Sequence, residues 1–217
     1  ELERLKTSVL EMGGLVEEQL REAMDSLLNV DSEKAERVID NDHEVNRMEM
    51  AIDRDCTLIF ARRQPAASDL RLLMAVIKVN TDIERIGDEA TKVARQTPRM
   101  AEVGKSPSKF VEISHIGTKV AEMLRQSLDA FTRVDVEMAT AVMRADRDVD
   151  AEYRSALRSL VTFMMEDPRD IGAVLTEMWV LRALERIGDH ACNIAEQVIY
   201  LARGTDVRHQ SLEDVES

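Results

Sequence analysis

Aromatic side chains are scarce in this chain of 217 residues, at only 3%, and glycine and proline number just eight and four. So few turn formers and rings exclude a succession of short strands and loops, and with it an all-β sandwich or barrel. Cysteine occurs twice, at Cys56 and Cys192, far apart and without C-x-x-C or zinc-ligand spacing. Both fall in helical pattern and read as reduced core residues, which suits a cytoplasmic protein. The longest apolar run, Leu72 to Ile77, is about six residues against the roughly 20 that cross a bilayer, so no direct membrane insertion is expected. No signal-peptide pattern opens the sequence as it stands. Positive charge is short as well: 29 Lys and Arg against 42 Asp and Glu leave a net charge of −13. Such a surface repels nucleic-acid phosphates and suits cations or basic protein patches.

What the chain does have is helical periodicity. Leu5, Val9, Met12, Val16, Leu20, Ala23 and Leu27 step by three or four, forming one apolar stripe. Val38, Val45, Ile52 and Ile59 form a second stripe after a cap at Asp31–Glu33. Pro65 breaks it, and Ser68 or Asp69 is placed to cap a third helix carrying Val76, Ile83, Ala90 and Val93. Thr97–Ser108, with two Pro and a Gly, reads as a linker. The pattern then repeats. Ile113, Ile116, Val120, Leu124, Leu128 and Phe131 mark a fourth helix, and Val142, Val149, Ala156 and Phe163 a fifth that Asp167-Pro168 ends. A sixth runs from about Asp170 to Arg203 with Val174, Met178, Leu181, Leu184, Ile187, Ala191 and Ile194 inward. The twelve Met read as core filler.

The repeat is also literal. Glu84-Arg85-Ile86-Gly87-Asp88 returns as Glu185-Arg186-Ile187-Gly188-Asp189, 101 positions on. Upstream, Val30-Asp31 returns as Val134-Asp135, and Asp42-x-x-Val45 as Asp146-x-x-Val149, 104 positions on. An internal duplication follows. The expected fold is all-α, with two tandem antiparallel three-helix bundles and six long helices: residues 1–97, a linker over 98–108, residues 109–203, and a loose tail over 204–217.

Glu84/Asp88 and Glu185/Asp189 are carboxylates at i and i+4, neighbours on a helix face. Asp42/Asn46 and Asp146/Asp150 have the same spacing on the helices beside them. Each bundle can thus present four oxygen-bearing side chains in a patch, a donor set for magnesium, calcium, manganese or iron rather than copper or zinc. His43 and His190 lie nearby in sequence and could add nitrogen. The competing reading is a solvated face or a copied salt bridge, since Glu18/Glu22 and Glu36/Asp40 show the same spacing elsewhere. Gly87 and Gly188 sit mid-helix, where Gly costs about 1 kcal/mol relative to Ala; close helix–helix approach is the commoner reason and a hinge the rarer. Arg71, Arg85, Arg182 and Arg186 lack a Gly-rich loop or helix N-terminus to converge on an anion, and read as solvated charge. Glu112-x-x-His115 is a lone E-x-x-H, where a ferritin-like di-iron site needs two. No nucleotide-loop, nucleophile-elbow or zinc-protease motif occurs, and no catalytic role is assigned.

The segments Asp42-His43-Glu44-Val45-Asn46, Arg62-Arg63-Gln64-Pro65-Ala66-Ala67-Ser68-Asp69-Leu70-Arg71 and the two Glu-Arg-Ile-Gly-Asp copies resemble the PhoU family, bacterial negative regulators of phosphate uptake and phosphate-starvation signalling. The resemblance spans essentially Leu5 to Gly204. It implies a cytoplasmic, non-enzymatic adaptor between the ATPase of the phosphate ABC transporter and a sensor histidine kinase, able to form homodimers. It also implies metal clusters on the paired acidic motifs, here Glu84, Asp88, Asp42 and Asn46 in one repeat and Glu185, Asp189, Asp146 and Asp150 in the other, holding iron, manganese or magnesium. Asn46 departs from that pattern with a neutral amide. A carboxylate-bridged iron protein or ferritin-like metalloenzyme, and a ligand-free structural dimer, are the other readings.

Overall fold

The computed structural model describes residues 1–63, 65–103, 110–205 and 207. Seven α-helices account for nearly all of them: α1 Leu2–Asn29, α2 Ser32–Arg63, α3 Ala67–Ala94, α4 Gln96–Val103, α5 Val111–Arg133, α6 Val136–Glu166 and α7 Ile171–Arg203, with a 3-10 turn at Pro168–Asp170. Helices α1, α2 and α3 form one antiparallel bundle and α5, α6 and α7 the other. The stripes read from the sequence are the buried faces: Val9, Met12, Val16, Leu20, Val76, Ile83, Val120, Leu124, Leu184 and Ile187 are all fully buried or nearly so. Each large side chain so buried contributes roughly 1.5–3 kcal/mol. None of the helices is long and apolar enough to cross a membrane among the described residues.

Helices begin and end where local chemistry dictates. The α1–α2 and α5–α6 hairpins are copies. Val30 and Val134 adopt the left-handed conformation, each with φ 54°. The next residue then caps: Asp31 accepts from the Lys34 amide at 2.9 Å and Asp135 from the Met138 amide at 3.0 Å. Asp167 accepts from the Arg169 amide at 3.0 Å and Pro168 opens the 3-10 turn, ending α6 where the Asp-Pro pair predicts. The start of α3 differs from expectation. Neither Ser68 nor Asp69 caps it; the helix opens at Ala67 with Ala66 extended before it and no side-chain cap.

The expected linker also needs correction. Its first half is helix α4, separated from α3 by a small bend at Arg95. Met100 is buried, and Thr97 is buried with its hydroxyl 3.2 Å from that of Ser26. Pro98 does not prevent this, because a first-turn residue has no intrahelical amide bond to lose. The rest of the linker and most of the tail lie outside the described residues. Within the tail, Val207 is buried against the core, so that position is not loose.

The bundles share one core. α3 lies antiparallel along α7: Asp82 meets His190 while Glu89 meets Arg186, one number rising as the other falls. α1 crosses α5 through matched glycines. A Cβ on Gly13 would stand 2.7 Å from Leu128, and one on Gly117 would collide with Met24. Gly13/Gly117 and Met24/Leu128 are themselves equivalent by the repeat, so the crossing is a pseudo-two-fold contact.

Candidate functional site

The second repeat brings its acidic residues together. Asp150 on α6 and Glu185 and Asp189 on α7 offer carboxylate oxygens that all lie within 4.8 Å of one another. Asp146 stands one turn from Asp150, beneath the cluster. Gly188 makes the room: a Cβ there would lie 3.3 Å from the Asp146 carboxylate and 3.6 Å from Met123. Close approach is therefore the reason for a glycine in mid-helix.

Two of the three carboxylates have a cation beside them, Arg154 3.4 Å from Asp150 and Arg182 2.6 Å from Glu185, yet acidic groups still outnumber basic ones here. Burial, and then Asp189, Asp150 and Glu185, push the Asp146 carboxyl up to about 7. Its polar contact is the Cys192 thiol, itself pushed above the usual thiol range by burial and by Asp146. Burial and Asp189 raise Glu185, against the opposing pull of Arg182, whose guanidinium lies 2.6 Å from it. Burial and Asp150 raise Asp189. A bound cation would relieve all these shifts together, because it favours the charged form of every oxygen donor around it.

The first repeat is differently made. Asp42 accepts from the Gln19 amide at 2.9 Å and the Thr91 hydroxyl at 3.1 Å. Gln19 and Thr91 also bond one another at 3.0 Å, closing a triangle across all three helices that is buried at Gln19 and Thr91 and half-buried at Asp42. The corresponding positions in the second repeat hold Met123 and Cys192. Asn46 supplies no charge, and among the described residues no three carboxylates of this repeat converge as Asp150, Glu185 and Asp189 do. Glu84 and Asp88 still feel acidic neighbours: burial and Asp88 raise Glu84, and burial and Asp42 raise Asp88. Glu49, not singled out by the sequence reading, belongs here too. Burial, Asp53 and Asp88 raise it, and it acts on Glu84 in turn. Its position, one turn beyond Asn46, was the signal available.

The described histidines do not join either cluster. His190 is buried and turns to α3, with Nδ1 2.9 Å from Asp82, which also accepts from Asn193 at 3.1 Å. His43 is exposed and sits against the Asp40 carbonyl. His115, of the lone E-x-x-H, pairs with Glu152 on α6 at 2.9 Å. Two buried polar contacts between the repeats escaped sequence reasoning: this Asp82–His190–Asn193 group, and Glu89, which is 3.0 Å from Arg186 and 2.8 Å from Lys92. Their partners lie about a hundred residues apart, so no local spacing marks them.

The duplicated bundle matches a known family. The PhoU domain model fits residues 9–97 and again 113–198. The chain belongs to the PhoU family. Among PhoU relatives, the phosphate-specific transport system accessory protein PhoU homolog of Pseudomonas putida is 54% identical over 98% of this chain and 83% of its own length. The accessory protein PhoU of Escherichia coli (strain K12) is 45% identical over 96% and 86%. The crystal structure of PhoU from Pseudomonas aeruginosa superposes with a TM-score of 0.92 at 54% identity, covering 94% of this chain and 98% of that one. The phosphate transport system regulatory protein PhoU from Streptococcus pneumoniae gives 0.88 at 28% identity, covering 95% and 97%. The PhoU fold thus holds at low sequence identity.

Proposed function

We propose that this protein is the regulatory accessory component of a phosphate-specific transport system. In this reading it is a cytoplasmic, non-enzymatic adaptor. It links the ATPase of the phosphate ABC transporter to a sensor histidine kinase, holds the kinase in its repressing mode when phosphate is plentiful, and works as a homodimer. The observation that carries the reading is the match of both repeats, over nearly the whole chain, to proteins named for that system. The test is complementation of a host lacking its own PhoU, with pull-downs on the kinase and the ATPase at high and low phosphate. Restored repression and retention of both partners are expected; empty pull-downs in both conditions overturn the adaptor.

The second repeat is read as the metal-binding one. Asp150, Glu185 and Asp189, with Asp146 beneath them, would hold a hard cation such as magnesium, manganese or iron. Convergence of three carboxylates, with the Asp146 carboxyl beside them pushed up to about 7, supports this. The bound ion would supply positive charge that fixes α6 against α7. In the first repeat, Asn46 and the hydrogen bonds on Asp42 favour a weaker site at Glu84 and Asp88 or none. Elemental analysis of protein purified without chelator tests the assignment against the Glu185→Ala/Asp189→Ala variant. Stoichiometric metal lost in the variant supports it, and a metal-free wild type refutes it.

A further inference from the structure

We propose that the surface formed by the end of α3, by α4 and by the first half of α7 docks a short acidic segment of a partner protein, with Trp179 as its anchor. On α3 and α4, Lys92, Arg95 and Arg99 follow one another at helical spacing and are exposed. On the antiparallel neighbour α7, Trp179, Arg182 and Arg186 do the same. Glu89 pins the two rows together, 2.8 Å from Lys92 and 3.0 Å from Arg186. Further along, Gly172 of α7 lies against Val103 of α4, so the rows stay adjacent past Trp179. Five cations thus collect on one face of a chain whose net charge is −13; Glu89 meets Lys92 and Arg186, Glu185 meets Arg182, and Arg95 and Arg99 are left over. Arg95 and Arg99 make no ion pair among the described residues. Trp179, the chain's only tryptophan, is 63% exposed in their midst. An exposed tryptophan amid arginines has the composition of an interface hot spot.

The duplication supplies a control within the molecule. The equivalent face at the other end of the α3–α7 pair carries Lys78, Thr81 and Arg85 opposite Asn193, Glu196 and Tyr200. There Lys78 stacks over the Tyr200 ring, 5.7 Å from its centre, satisfying cation and aromatic within the chain. Of the two copies of this face, only one is basic and leaves its aromatic ring exposed. Ion pairs within the chain account for Lys92, Arg182 and Arg186, but not for Arg95, Arg99 or the bare ring of Trp179.

Charge and size select the occupant. The strip attracts negative charge. It runs from Lys92 to Arg99 and from Trp179 to Arg186, about 10 Å along each helix at the usual rise. Exposed Asp88 and Glu102 close its two ends on α3 and α4. That length fits two or three acidic side chains of a peptide with an apolar residue against Trp179. A membrane plane would press Asp88 and Glu102 onto anionic headgroups, so an acidic protein segment is favoured. A second copy of this chain, as acidic as the first, is a poor match. The inference does not depend on which partners the adaptor has, and failure of the peptide test would leave complementation unaffected.

Trp179 is its own reporter. The whole protein is titrated with the peptide acetyl-EDLEDLED-amide while tryptophan emission is followed. Parallel titrations use its charge-reversed counterpart, phosphatidylglycerol vesicles, and inorganic phosphate or ATP. A saturable emission shift with the acidic peptide only is expected. It should weaken about tenfold when salt rises from about 50 to about 300 mM. It should also weaken about tenfold in Arg95→Ser/Arg99→Ser, whose side chains make no ion pair among the described residues although the charge of Arg95 is felt at Asp88, and stay unchanged in Arg85→Ser on the equivalent face. The proposal is overturned by no shift with the acidic peptide, by an equal shift in the Arg95→Ser/Arg99→Ser variant, or by a response to vesicles or small anions alone.

Discussion

The acidic patches of the two repeats are copies of one another, yet they sit in different electrical surroundings. In the first, Asp42 rests in a triangle with Gln19 and Thr91, its charge met by an amide and a hydroxyl. In the second, the same backbone places Asp146 beside Met123 and Cys192, and its carboxyl is pushed up to about 7. The Glu-Arg-Ile-Gly-Asp motifs are identical; what differs is one facing acidic position and the residues packed around it. Gln19 and Thr91 satisfy Asp42 where Met123 and Cys192 give Asp146 a thioether and a thiol instead, and Asn46 removes a carboxylate that Asp150 supplies. The lesson is that i,i+4 carboxylates do not by themselves make a cation site. What decides is whether neighbouring donors already satisfy them.

The largest effect expected is on metal. Glu185→Ala/Asp189→Ala should lose at least tenfold in affinity for manganese, read by titration calorimetry, while Glu84→Ala/Asp88→Ala changes it little. Equal losses from both pairs would break the comparison. A graft sharpens it. Met123→Gln with Cys192→Thr gives Asp146 the donors that Asp42 has. NMR titration should then find the Asp146 carboxyl well below about 7, with weaker metal binding. The reverse loss, Gln19→Ala, leaves Asp42 with Thr91 alone and should cost about 1–3 kcal/mol in urea unfolding.

The amphipathic stripes made six helices and their pairing within each repeat legible, because a period near 3.6 survives in Leu5–Leu27 or Ile113–Phe131 without knowledge of any partner. The helix α4 was hidden because Pro98 and its small neighbours look like a linker unless the burial of Thr97 and Met100 is known. Of the site, Asp150, Glu185 and Asp189 were named from spacing, and their convergence is in the structure. His190 was named for the same cluster, and it faces Asp82 on the other repeat instead. One helical position separates Asp189 from His190, about 100° around the axis, and only tertiary packing says which bundle each meets. Glu49 was overlooked because it has no counterpart in the second repeat, where Tyr153 stands.

A smaller effect follows from the raised Asp146 carboxyl in metal-free protein. Between the ordinary value of 3.8 and about 7, the folded chain keeps a proton that the unfolded chain has released. Stability from this group is therefore complete at low pH, falls as pH rises through that window, and levels off above it. Asp146→Asn removes the dependence. Thermal unfolding with chelator present should show the variant more stable than wild type at about pH 8, by on the order of 1–2 kcal/mol once partial exposure is allowed for, and similar to it near pH 4.

The smallest effect concerns what the repeats still share. Val30 and Val134 both hold φ 54°, a conformation costly for a β-branched residue, and both are more than a third exposed. Val30→Gly relieves that strain and loses little burial, while the unfolded chain gains freedom that opposes the benefit. A net gain of about 0.5–1 kcal/mol is expected, and Val134→Gly should give the same. Urea unfolding of each single variant and of the pair checks both size and symmetry. Equal, additive gains mean that the two turns are still interchangeable while the acidic patches above them are not. Unequal gains would mean that divergence has reached the hairpins, where the Asp31 and Asp135 caps still match.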